Sequence, residues 1–252
     1  MLLSLPTWFI HISSMTEWLW AITLFYRYGK VIGRRDVSRF GLMMIPHWIG
    51  GMCVILFHIT GDEVTLLLDL SKVINFLGSL ALFFAILKIQ EGENPKGQNG
   101  ETLVFPAMLF FATGLNALVL NITPDLPSTL DSLHAHTHQT MPKMWVEIIF
   151  QISSAVYFFF LVALYFKFRK TKPLLSSLSV AGFWFLLVFI SVTVVCIYYA
   201  TKVRGFATLT HDDTLHGFAE SFLTISNLMI ALGAKKSLDE AKHNSKQKNN
   251  RG

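Results

Sequence analysis

Histidine offers most of the chemistry in this chain of 252 residues, nine of them in all. His11 and His58 lie in successive apolar blocks, at similar depth from the same end. Two neutral imidazoles on facing helices can ligate one iron axially, so this pair could bracket a haem, and a chlorophyll could use either ring. His216 and Glu220 are four residues apart and share one face of a helix. A structural His–Glu hydrogen bond and a proton relay both suit that spacing. The intervening Gly217 and Ala219 are small enough for close helix packing. In LHAHTHQ, 133–139, His134, His136 and His138 alternate. An extended backbone puts all three on one side, which could seat Zn or Cu. A solvated polar loop is the plainer reading of that segment.

Other polar residues stand inside apolar blocks. Glu17 lies about nine residues into the first block. A carboxylate near a bilayer centre is costly to insert, so it needs water, a partner or a proton. A substrate-binding or proton-linked acid and a hydrogen-bonded structural acid are both open. Asp69 and Lys72 are three apart and face the same way, either as an ion pair that makes their block tolerable in lipid or, less simply, as a site. Asn75 extends that stripe by three residues, and Asn227 occupies a similar depth in the last block. Cys53 and Cys196 are the two cysteines. Each sits in an apolar block and reads as a small buried apolar side chain, with no metal or disulfide pattern.

The elements that must carry these residues follow from composition. Charged residues make up 15% of the chain, against a usual share of about 25%. Hydrophobic residues make up 52%, with 22 Phe and a mean hydropathy of +0.49. The apolar residues are gathered in blocks of about 20, the length of helix that crosses a hydrocarbon core of about 30 Å. A soluble enzyme is excluded by that pattern. The ten-residue alternation of a barrel strand is missing too. The expected fold is all-α and polytopic, with seven transmembrane helices near 8–26, 40–60, 64–88, 103–121, 145–166, 174–198 and 214–234. The opening MLLSLPTWFIHISS lacks the basic start of a signal peptide, so the first block is expected to stay as a span.

The basic residues orient the spans. Seventeen of the 21 Lys and Arg fall in the loops after spans one, three and five and in the tail, against Lys143, Lys202 and Arg204 on the other side. This bias predicts an outside N-terminus and an inside C-terminus. It also accounts for the net charge of +5 without nucleic acid. Seven of the nine histidines then map to the outer side, with His47 further in and His243 in the tail. The tryptophans, including Trp8, Trp18, Trp20, Trp48, Trp145 and Trp184, are expected mostly at lipid or the interfaces.

Spans one to three and five to seven repeat the same course, and span four restores the direction between them. Residues 1–90 and 145–236 are therefore expected as two three-helix bundles. The segment 91–144 would hold a linker, a connector helix and an outer loop, and 237–252 a disordered basic tail. Asn75 and Asn227 would lie about 16 and 20 Å into their spans, near the midplane.

This three-one-three order, with Pro6, Pro46, Pro142 and Pro173 early in spans one, two, five and six, resembles the SWEET and PQ-loop transporters. That resemblance implies substrate contact by Asn75 and Asn227 and hinging at the four prolines. The Pro-Gln pair is missing from spans one and five. In sequence, LPTWFIHISSMTEWLWAITLFYRYG, 5–29, with the PHW and FHI histidines of span two, resembles the ycf-forty-nine-like family of cyanobacteria and plastids. DTLHGFAESFLTISNLMIALG, 213–233, resembles a second cyanobacterial and plastid membrane family of unknown function. These resemblances imply an oxygenic phototroph and a thylakoid, plasma or plastid membrane. They imply no reaction.

No GxGxxG, P-loop, HExxH or nucleophile elbow occurs. Two functions are expected. One is a carrier of a small solute or ion, using Asn75, Asn227 and Glu17 between the bundles. The other is a protein without transport activity that assembles photosynthetic complexes or handles pigment or haem, using His11, His58 and His216.

Overall fold

The computed structural model describes residues 3–89, 143–170 and 175–249. They form helices, as expected of a chain that must satisfy its backbone in lipid. The expected fourth span, the loop histidines His134, His136 and His138, and Pro142 and Pro173 lie outside the described residues.

Helix α1 spans Leu5–Val31 and starts from an extended Ser4 with Pro6 in its first turn, where a missing N–H is harmless. It stops at Gly33, whose φ of +69° suits a residue without a Cβ. There the Arg34 and Gly33 amides donate to the Gly29 and Lys30 carbonyls. The expected second span is broken into α2, Arg35–Leu42, and α3, Ile45–Ile59. Pro46 explains the break, since its ring excludes the carbonyl four residues earlier, at Leu42. Pro6 and Pro46 thus both occupy first turns, where proline starts a helix.

Helix α4 spans Thr65–Lys88, α5 Lys143–Lys170 and α6 Ser177–Tyr198. A turn of π-helix, Tyr199–Val203, and a 3-10 turn, Leu209–His211, lead into α7, Asp213–Asn249. The expected disordered tail is thus helical as far as Asn249. Leu238 is buried in the main core and Ala241 packs against it, so tertiary contact continues the helix beyond the expected span.

Among the described residues, four stretches are long and apolar enough to cross a membrane: Arg35–Ile59, Thr65–Lys88, Ser177–Val203 and Asp213–Gln247. A shorter apolar run, Ile152–Phe168, lies in α5. Helix α1, at 27 residues, is about 40 Å long. The chain is an all-α membrane protein. The most extensive pairings join the ends of the sequence, α1 along α7, with α7 also along α6 and α4 along both α3 and α5.

One end of the bundle is a dry aromatic core. Phe25, Phe40, Phe160 and Phe183 are fully buried, and their rings meet at 5.4–6.3 Å. Trp18 belongs to this core rather than to a lipid-facing belt, because its indole N–H finds the Met44 carbonyl at 3.0 Å. Small residues let α6 and α7 close together. The Ser226 hydroxyl donates to the Gly182 carbonyl at 2.8 Å and the Ser179 hydroxyl to Ile230 at 3.0 Å.

Candidate functional site

At the other end, three helix termini bring three histidines into one buried group. His11 is in the second turn of α1, His58 is one residue from the end of α3, and His216 is in the first turn of α7. Each is less than a tenth exposed. Ring centroids are 5.2 Å apart for His11–His58 and His11–His216, and 5.4 Å for His58–His216. The Nε2 atoms of His11 and His216 are 3.1 Å apart. One ligating nitrogen from each ring lies within 4.8 Å of the others.

Local sequence explains this convergence. Asp212 caps α7, accepting the Leu215 amide at 3.2 Å while Arg204 Nη1 donates to its other oxygen at 2.6 Å. Asp213 accepts the Ser4 amide at 3.1 Å, which ties the starts of α1 and α7 together. Gly217 then lies against Thr7, where a Cβ would come within 2.8 Å of the Thr7 hydroxyl. This close approach sets His11 against His216.

The end of α3 aims His58. The Gly61 amide donates to the His58 carbonyl and the Asp62 amide to the Phe57 carbonyl, both at 3.1 Å, so the helix closes on a left-handed Gly61. Asp62 is left-handed as well, at φ +66°, a conformation that costs a non-glycine residue about 1 kcal/mol. That turn brings Asp62 Oδ1 to 2.7 Å from His58 Nδ1. Since a carboxylate accepts, His58 donates through Nδ1–H, which leaves Nε2 as the nitrogen available to ligate. A second carboxylate, Glu220, has Oε2 3.9 Å from His11 Nδ1. The expected His216–Glu220 contact within α7 is replaced by this contact between helices.

Three imidazoles, with Asp62 bonded to one and Glu220 3.9 Å from another, could serve as the donor set of a transition-metal site. Zn–N bonds of 2.0–2.1 Å in a tetrahedron place ligand nitrogens about 3.4 Å apart. The His11–His216 separation is already close to that. Asp62 and Glu220 together would balance a dication, which a buried site requires. A haem suits the geometry less well. His216 closes the triangle beside His11 and His58, so a planar macrocycle has no gap to enter between their rings.

The other sequence candidates sit elsewhere. Asn227 Nδ2 donates to the Ser14 hydroxyl at 2.8 Å and the Ser14 carbonyl at 3.2 Å, in the seam of α1 and α7. Asn75 Nδ2 donates to Ser71 Oγ at 3.3 Å, and its Oδ1 lies against Gly50 in the seam of α3 and α4. The two amides therefore serve different seams. Glu17 is half-buried, and its Oε2 has no partner among the described residues. Lys72 Nζ donates to Asp69 at 3.3 Å, the expected pair. Both cysteines are buried free thiols. Sequence reasoning missed Asp62, although the Gly-Asp turn one residue after FHI marked where a side chain could fold back.

Residues 2–88 match a family described as "Protein of unknown function (DUF2499)", and residues 146–239 match "Protein of unknown function (DUF3593)". All three site histidines fall within these two matches. The first segment resembles the Ycf49-like family. A "Ycf49-like protein" of Synechocystis sp. is 29% identical over 85 residues, 33% of this chain and 82% of that protein. The "Uncharacterized protein ycf49" of Cyanophora paradoxa is 28% identical over 99 residues, 38% of this chain and 96% of that protein. No solved structure gives a significant match. With its apolar helices, the chain is a membrane protein of photosynthetic organisms.

Proposed function

We propose that the protein binds a transition-metal ion, Zn or Cu, through His11, His58 and His216 at the outer end of its bundle, and that it holds or hands on metal without catalysing a reaction. One observation carries this reading. Three buried imidazoles from three helices converge with one ligating nitrogen each inside 4.8 Å, and one of them is oriented by a carboxylate. Imidazole suits Zn, Cu, Fe and Ni, and three protein ligands leave a fourth position for water or an incoming donor. Such an open site suits exchange with a partner better than permanent burial does.

This role belongs with the expected non-transporting class, in a thylakoid, plasma or plastid membrane beside photosynthetic complexes. A carrier of a small solute would need Asn75 and Asn227 on one water-accessible cavity. Asn227 instead bonds across the α1–α7 seam and Asn75 bonds within α4 to Ser71, so the two amides are not brought to one cavity.

Equilibrium dialysis of the purified protein against Zn(II) tests the proposal. One equivalent is expected for the native protein, and none for His11→Ala or His58→Ala. Tight binding that survives both substitutions would refute it.

A further inference from the structure

The opposite end of the bundle carries a second site built from different residues. A cleft of about 380 Å³ lies between the end of α1 and α2, lined by Tyr26, Gly29, Lys30, Arg35, Arg39 and Leu42 among others. Its floor is fixed. Ser38 Oγ donates to the Tyr26 carbonyl at 3.1 Å, and Gly29 packs directly on Ser38. Val37 and Phe40, on the inner face of α2, are fully buried and hold the helix across α1.

Three cations surround this floor. Arg35 and Arg39 are one helical turn apart and exposed, and neither has an anionic partner among the described residues. Lys30 is exposed beside them, with Nζ 5.0 Å from the Tyr26 ring. Arg34 is excluded from the set because it pairs with Asp36. Leu42 lines the cleft with the three cations, and Val31, Met43 and Ile45, close in sequence to the cleft residues, are exposed too.

We propose that this cleft binds the headgroup of an anionic membrane lipid. Exposed cations beside exposed apolar side chains match a molecule with a negative head and an acyl tail, whereas a free phosphate would gain nothing from the apolar side chains. Basic residues next to a membrane helix on its inner side recognise acidic lipid, and each contributes a few-fold in affinity. The fixed α1–α2 corner turns that general attraction into a shaped site. The Arg35 and Arg39 side chains, and the N–H groups opening α2, would face the lipid's phosphate or sulfonate.

The test uses the full-length protein in neutral phosphatidylcholine micelles, titrated with phosphatidylglycerol and read by native mass spectrometry. The native protein is expected to retain one phosphatidylglycerol. Arg35→Gln/Arg39→Gln should weaken this about 30-fold, and either single change about fivefold. Lys242→Gln/Lys246→Gln removes the same charge from the far end of α7 and should change binding less than twofold. Equal loss in that control would overturn the site, as would retention in the arginine variant or equal uptake of phosphatidylcholine. Displacement of the lipid by millimolar inorganic phosphate would overturn the lipid assignment.

Discussion

Asp62 and His58 are joined by a 2.7 Å contact between Oδ1 and Nδ1, and Asp62 makes it from a left-handed backbone. In the proposed site, Asp62 would orient His58 as a ligand from this left-handed conformation. Such outer carboxylates fix the tautomer and raise the basicity of the nitrogen opposite.

The Asp62 substitutions separate strain from orientation. Asp62→Gly relieves the left-handed conformation and should leave thermal stability within about 1 kcal/mol of the native protein or slightly above it. Metal affinity should nevertheless fall by about 10- to 100-fold. Competition titration against a chelator measures this. Unchanged affinity in Asp62→Gly would mean that the carboxylate plays no part in ligation.

Gly217 controls how closely α1 and α7 approach. Gly217→Ala adds a Cβ 2.8 Å from Thr7 Oγ1, so the helices must separate or Thr7 must move. Overpacking of this kind costs about 1–3 kcal/mol. A thermal melt in detergent should show that loss, with weaker metal binding alongside it because His11 and His216 move apart. A variant of native stability and native affinity would show that the seam yields freely.

Buried Asn227 and half-buried Asn75 are expected to matter for packing alone. An interhelical hydrogen bond in membrane averages about 0.6 kcal/mol. Asn227→Ala should therefore lower stability slightly, Asn75→Ala, whose amide bonds to Ser71 within α4, by no more than that, and both should leave metal binding unchanged. Vesicle uptake assays provide the contrast. If either substitution abolished uptake of a solute that the native protein transports, the carrier reading would replace the metal reading.

Much of the all-α fold was legible because bilayer thickness sets the length of an apolar helix, and the described helices fall close to the expected apolar blocks. The break at Met43–Met44 was harder to see. The apolar run there is continuous, and only the clash of Pro46 with the preceding turn interrupts it. The helical tail was misread for a related reason. Its composition is polar, yet Leu238 and Ala241 find the core through tertiary contact that composition does not report. At the site, the sequence placed His11, His58 and His216 at the same end of the bundle. It paired His11 with His58 across a haem and His216 with Glu220 along one helix. Spacing along a chain cannot rank contacts between helices, and the α1–α7 seam joins residues 205 positions apart.

Cobalt(II) titration of the purified full-length protein, followed by visible absorption, tests the three-histidine site most directly. The account predicts d–d bands of a tetrahedral ion that saturate at one equivalent and vanish when Zn(II) is added. It predicts no such bands in His58→Ala, nor in the less disruptive His58→Gln. A native protein without these bands, or His58 variants that retain them in full, would contradict the site.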